Sequence, residues 1–280
     1  MLQFIIPTIA AVSGSLEMFL NKFILSREKV NYKLFTSVSF LLLSLIMLII
    51  SPFFFEFSSD FFLPINLILL VVIVIIGTIA NVLLFHGMKA EKLTEIDALF
   101  VFGGFFTILL TALIYADERN PYILIPAVIA SIALILSHVK KHHIKFHKTG
   151  LMVLGATLLF AFENVIVKYL LVTYNAFSLY FIRSFLIMLV LVIYFKPNLK
   201  KLNGKKYFHL TVTQVLIIVQ LVLTYYSFQR FGVVYTMLIM TLMPILLYIY
   251  ALVWLKEKLE WKKAVAGVVI LVCVVVAQVL

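Results

Sequence analysis

Charge is what this sequence has least of. Only 12% of its 280 residues are Asp, Glu, Lys or Arg, against 64% hydrophobic residues and a mean hydropathy of +1.17. So little polar surface cannot cover a soluble globule, which leaves a polytopic membrane protein. Cysteine is almost missing as well. Cys273 stands alone, deep in the last apolar run, so these residues form no intrachain disulfide and no cysteine metal site. It reads as a small core residue. No Lys or Arg precedes Lys22, so the positive start of a signal peptide is absent and the first apolar stretch is expected to stay. The apolar runs are continuous rather than alternating, which excludes a transmembrane barrel. HExxH, GxSxG and P-loop patterns are absent, and nothing in the chain asks for a cofactor.

What is present is a succession of apolar stretches of the ~20 residues a helix needs to cross a hydrocarbon core. The expectation is an all-α protein with ten transmembrane helices, near 3–22, 33–52, 64–88, 94–115, 121–139, 150–172, 177–195, 207–229, 233–255 and 261–280. The cations fall between them in a pattern. Of the 23 Lys and Arg residues, 19 lie in the gaps after the first, third, fifth, seventh and ninth spans. The positive-inside rule then makes those gaps cytoplasmic and puts both termini on the outer face of the plasma membrane. This placement explains the net charge of +11 without nucleic acid, which is not expected as a partner. Membrane lipids are. The aromatic outer segment Pro52 to Pro64, PFFFEFSSDFFLP, is expected to lie in the membrane interface.

The longest polar break is central: His138 to Gly150, HVKKHHIKFHKTG, with four lysines and four histidines. His138 and His142, and His143 and His147, are spaced i,i+4 as a zinc site on a helix would need, yet no carboxylate lies between Val139 and Thr149. The segment reads as a titratable cytoplasmic loop, and no metal is expected. On either side of it the halves echo one another. Glu17 precedes Lys22 by five residues in GSLEMFLNKFIL, and Glu163 precedes Lys168 by five in LFAFENVIVKYLL. TALIYADERN near the fourth span has a counterpart in ALVWLKEKLE after the ninth. Five spans per half is an odd number, so the second copy enters the membrane from the opposite side. The organisation is a first repeat over 1–139, a basic connector over 140–149 and an inverted repeat over 150–280, an architecture of secondary transporters.

The doubled five-helix repeat, the GSLEMFLNKFIL pattern and the stretch MLIMTLMPILLYIYALVWLKEKLEWKKAVAGVVILVCVVVAQ resemble the EamA branch of the drug/metabolite transporter superfamily. Pro244, Glu257 and Gly267 are the most specific part of that likeness. The first half departs from it, with Phe102-Gly103-Gly104-Phe105 where a proline would stand and Asp117-Glu118 in place of a leucine-glutamate turn. The resemblance implies a substrate cavity walled by spans 1, 3, 4, 6, 8 and 9, with spans 2 and 7 as movable outer walls and spans 5 and 10 peripheral.

Ionisable side chains inside a bilayer are costly and usually face a partner or a cavity. Four qualify. Glu163 and Arg183 lie at matching depth and are expected to form a structural ion pair, with Lys168 nearby. Position 37, the counterpart of Arg183, is a serine, which leaves Glu17 with only His86 and Lys22 as neighbours. An unpaired buried carboxylate can exchange protons near neutral pH, so Glu17 is the candidate coupling or substrate residue. Ser13 and Asn21, four residues to either side, complete a polar stripe on the first span. Asn81, Asn164, Gln220, Thr224, Tyr225, Thr241 and Tyr248 complete the expected lining, with Pro244 kinking the ninth span beside it. Such a site suits a small neutral, zwitterionic or cationic amphiphile better than a phosphorylated metabolite. The function expected is gradient-driven, alternating-access transport of that solute, with protons as a second partner. An enzyme built on the histidine loop and a facilitative channel are the other classes considered. The oligomeric state is left open.

Overall fold

Short polar signals set the helix starts in a chain whose apolar runs nearly touch. The computed structural model describes residues 2–56, 58–90, 93–138, 148–254 and 261–279. In it Asn31, Asn175 and Asn203 each accept a backbone N–H from the next turn, at 2.9, 2.6 and 3.0 Å, and so begin α2 (Tyr32–Phe54), α7 (Ala176–Phe195) and α8 (Gly204–Phe231). Proline, whose missing N–H costs nothing at a first helical position, opens α3 (Pro64–Ala90) and α5 (Pro121–His138). The remaining helices are α1 (Leu2–Ser26), α4 (Leu93–Ile114), α6 (Lys148–Leu170), α9 (Val233–Met240), α10 (Leu242–Trp254) and α11 (Trp261–Val279). No strand occurs among the described residues.

Among the described residues eight stretches are long and apolar enough to cross a membrane, Val233–Tyr250 counting as one, and Leu99–Ile114 and Pro121–Ser137 are shorter apolar helices. The protein is therefore a helical, polytopic membrane protein. Its polarity is arranged accordingly. Ile49, Phe53, Leu113, Val172, Ile193 and Tyr194 are at least 71% exposed, while Ser15, Thr36, Ser37, Thr111, Ser178 and Ser184 are fully buried. In a bilayer the hydroxyls and amides turn inward, because lipid offers them no partner.

The expected ninth span is broken in two. Pro244 lies in the first turn of α10 and cannot donate to the carbonyl of Met240, the last residue of α9. Thr241 forms the turn between them, its N–H shared between the Met237 and Leu238 carbonyls at 3.2 Å each. In the first half α4 runs unbroken from Leu93 to Ile114, through the glycines at 103 and 104.

Helices far apart in sequence make the closest pairs. α3 lies along α6, α1 along α8, α4 along α6, α5 along α11 and α2 along α7. Small residues allow the approach. A Cβ at Gly87 on α3 would stand 2.8 Å from the Thr149 carbonyl of α6, and one at Gly103 on α4 would stand 3.0 Å from the Thr157 carbonyl. Cys273 is buried in the α5–α9–α11 core with Leu238 and Ile270.

The segment expected to lie in the interface packs two of its five described phenylalanines inward. Phe61 is 5% exposed and stacks on Tyr174 at 4.1 Å, and Phe55 meets Phe181 edge-on at 6.1 Å. The Glu56 N–H donates to Ser178 Oγ at 3.0 Å. Phe53 and Phe62 remain exposed. The reason is geometric: the segment lies over the α6–α7 turn, where apolar rings find partners closer than lipid.

Candidate substrate cavity

Polar side chains from both halves of the chain converge on a cavity of about 250 Å³. All the spans implied by the family resemblance contribute to it, α9 and α10 together standing for the ninth. α2 and α7 also reach it, through Ser39 and Phe40 and through Tyr180 and Arg183, and α5 adds Ser131 and Leu134.

Glu163 on α6 and Arg183 on α7 form a buried ion pair in its wall, at 2% and 4% exposure. Arg183 donates its Nε–H to Glu163 Oε1, and Glu163 Oε2 has no partner among the described residues. Two charges out of water are tolerated only when so matched. Gly77 on α3 makes the room, since a Cβ there would stand 2.8 Å from Arg183 Nη2. Tyr180, one turn before Arg183, meets Tyr225 edge-to-face at 5.8 Å.

Glu17 is buried on α1 and lines the same cavity. Its partner is Asn21, one turn on, which donates from Nδ2. Neither neighbour expected from the sequence reaches it. Lys22 donates to the Met88 carbonyl at 2.7 Å, and the His86 ring stacks on Tyr32 at 4.3 Å, outside the cavity lining. Ser37, in the place matching Arg183, donates to the Lys33 carbonyl at 2.9 Å. No cation among the described residues pairs with Glu17.

The other expected residues divide. Asn81, Asn164, Gln220, Thr224, Tyr225 and Thr241 line the cavity. Asn81 donates to the Gly77 carbonyl at 2.7 Å, and Thr224 to that of Gln220 at 2.7 Å. Ser13 does not reach the cavity; it donates to the Leu216 carbonyl at 2.9 Å and ties α1 to α8. Tyr248 is buried against α11, with Lys263 Nζ 4.8 Å above its ring, also outside the lining. Thr107, Thr157, Gln214, Tyr180 and Ser39 line the cavity without having been singled out from the sequence. Tyr180, at i−3 from Arg183, carried a usable signal. Met237 and Met240 of α9 and Met243 of α10, spaced by three across the break, also line it.

Lys168 belongs to a different cluster from the Glu163–Arg183 pair. It bridges Asp117, at 2.7 Å, and Glu118, in the turn after α4. The Glu118 carboxylate also accepts the N–H groups of Val233 and Val234, at 2.7 and 2.9 Å, and so caps α9. Gly232, at φ +88°, turns the chain into that helix, and a Cβ there would stand 3.0 Å from the Glu118 oxygens. The bond from Lys168 holds the Asp117 carboxyl below its ordinary value of 3.8. Burial, then the neighbouring Asp117 carboxylate, raises the Tyr115 phenol. Glu257 and the histidines at 142, 143 and 147 lie outside the described residues.

Comparison with known proteins places this architecture. A crystal structure whose description names no function shares the fold, at a TM-score of 0.75 and 11% identity over 99% of this chain and 96% of that one. No curated protein matches the chain. Residues 147–278, from the end of the central connector through α11, match the model of the EamA-like transporter family. The matched stretch is the second half of the chain, which is thus similar to the EamA-like transporter family, part of the drug/metabolite transporter superfamily.

Proposed function

We propose that the protein is a secondary transporter that carries a small polar or amphipathic metabolite across the plasma membrane by alternating access, driven by a gradient and coupled to protons through Glu17. The observation that carries this reading is the cavity itself. It lies between the halves, is lined from both, and holds a carboxylate, Glu17, without a cationic partner among the described residues. A scaffold needs no such group in the bilayer.

Ten crossings, two inverted five-helix repeats and external termini complete the proposal. The exchange pattern of the packing supports the repeat: α1 on α8 and α6 on α3 are equivalent contacts if the halves, 1–139 and 150–280, are related by a two-fold axis in the membrane plane. Alternating access is supported by an imbalance between the ends. At the end away from the cationic loops, Lys168 bridges to Asp117 and Glu118, Tyr174 donates to the Phe61 carbonyl at 2.9 Å, and Gln229 donates to that of Leu171 at 2.9 Å. Toward the other end the lining continues through Asn21, Met88 and Leu247. The conformer is read as closed outside and facing the cytoplasm.

Flux of radiolabelled amino acids and amines into proteoliposomes, with and without an imposed pH gradient, tests the proposal. Saturable uptake that responds to the gradient, and a Glu17→Gln variant whose uptake no longer does, are the expected results. Gradient-dependent uptake unchanged in Glu17→Gln would refute the coupling role.

A further inference from the structure

We infer that the solute this cavity takes is a small amphipathic monocarboxylate, received by the Nη groups of Arg183. The inference rests on the transport reading above and names its substrate class.

A guanidinium carries five N–H groups, and the ion pair with Glu163 uses only the one on Nε. Nη1 and Nη2 have no partner among the described residues, although Arg183 is 4% exposed and lines the cavity. They are not sealed in the protein either. The unpartnered atoms of the lining that have lost contact with the cavity are acceptors and one hydroxyl: Asn21 Oδ1, Glu163 Oε2, Gln220 Oε1 and Ser39 Oγ. Gln220 divides in the same way. Its amide packs on Gly14 of α1 and shuts Oε1 in, while Nε2 keeps accessible area and has no partner among the described residues. What these side chains offer a solute is N–H donors, the strongest of them on a cation. The expectation of a neutral, zwitterionic or cationic solute took Glu163 to use up Arg183, which it does not.

Buried polar groups are nearly always hydrogen-bonded, so open donors in a buried wall point to acceptors on whatever fills the site. A carboxylate presents two oxygens in one plane, the match for the planar fork of a guanidinium. An ammonium would bring donors to donors and a second positive charge to Arg183, and a neutral amide accepts without the charge. The ionised groups set the limit on the anion. Glu17 on α1, Glu163 on α6 and Arg183 on α7, with the phenols Tyr180 and Tyr225, are the titratable groups of the lining among the described residues. A monocarboxylate places Arg183 between two carboxylates, and the proton that the transport reading gives to Glu17 removes the third negative charge. Anion and proton then load together. A doubly charged phosphate would find no second cation. Away from Arg183, α9 and α10 give the other end of the ligand: Met237, Met240 and Met243, with Phe105 of α4, form an apolar wall of flexible thioethers. Thioethers adapt to varied apolar shapes and favour aromatic rings. At about 250 Å³ the cavity falls below the range of about 300–1,000 Å³ for drug-sized ligands, which limits the solute to a small one.

Titration calorimetry on the purified full chain tests this with four probes of one shape: 3-phenylpropanoate, 3-phenylpropanamide, 3-phenylpropylammonium and phenylalanine. The propanoate should bind about tenfold or more tighter than the amide and the ammonium, and at least as tightly as phenylalanine. Arg183→Lys keeps the charge but loses the fork, and should shrink the preference for propanoate over amide. The double change Glu163→Leu with Arg183→Leu removes the pair together and should abolish that preference, each variant being checked by thermal melting. Glu17→Gln, neutral as a protonated Glu17 is, should bind the propanoate severalfold tighter. Equal or tighter binding of the amide, the ammonium or phenylalanine, binding of none of the four, a preference unmoved in the folded Arg183 variants, or weaker propanoate binding in Glu17→Gln overturns the inference. Flux of the same probes separates the two readings. Propanoate binding without flux sinks the transport reading alone, and saturable flux of the ammonium without propanoate binding sinks this one alone.

Discussion

Arg183 shows how much of this protein rests on single side chains. Its charge is matched by Glu163 and its guanidinium occupies the space that Gly77 leaves open. Removing one member of such a pair strands the other, at a cost of about 3–5 kcal/mol. Arg183→Leu should therefore lower the melting temperature in detergent far more than the double change with Glu163→Leu does. If the double variant is as unstable as the single one, the pair is not the unit that matters. Gly77→Ala should cost about 1–3 kcal/mol by overpacking against Nη2. Asp117 lies outside the membrane-spanning segments, in the turn after α4. Its carboxyl is depressed by Lys168 in the folded protein, so its contribution is fully present above the ordinary carboxylate range and is lost as pH falls through the depressed value. The stability difference between the wild type and Asp117→Asn should thus be constant at neutral pH and vanish on acidification. A difference that grew as pH fell would contradict the assignment.

Among the elements, α9 depends most on a distant partner. Only eight residues long, it starts at Gly232 and takes its cap from Glu118, more than a hundred residues earlier. Glu118→Ala leaves two helix N–H groups unmet and removes one of the two carboxylates on Lys168, and should cost about 1–2 kcal/mol. Thermal melts would read this, with Glu118→Gln intermediate because its amide oxygen can still accept. A variant as stable as the wild type would mean that the cap is dispensable. The break after α9 belongs to Pro244. It sets Met240 and Thr241 beside the cavity, where an unbroken helix such as α4 presents Gly103 and Gly104.

For the whole molecule, the proposed orientation can be read by chemical labelling, since the chain has one cysteine and that one is buried. In a Cys273→Ser background, Asn120→Cys, in the α4–α5 turn, should react with an impermeant maleimide in intact cells. Arg27→Cys, in the α1–α2 turn, should react only after lysis. The reverse pattern would invert the proposed topology. The same scale separates what sequence and tertiary structure each determine. Composition and run length are enough to establish a helical membrane protein, because the solvent for each helix is read from its own residues. Depth along adjacent spans, counted in residues from the helix ends, is enough to bring Glu163 and Arg183 to one level. By contrast, nearly every face of these helices is apolar, so periodicity cannot say which face looks inward. Tertiary packing sent Ser13 to the Leu216 carbonyl, Tyr248 to α11 and Lys168 to Asp117 and Glu118, and it brought Thr107, Thr157 and Gln214 into the cavity. Those outcomes depend on contacts between residues that lie tens to hundreds of positions apart, such as α1 on α8, and a one-dimensional pattern carries no record of them.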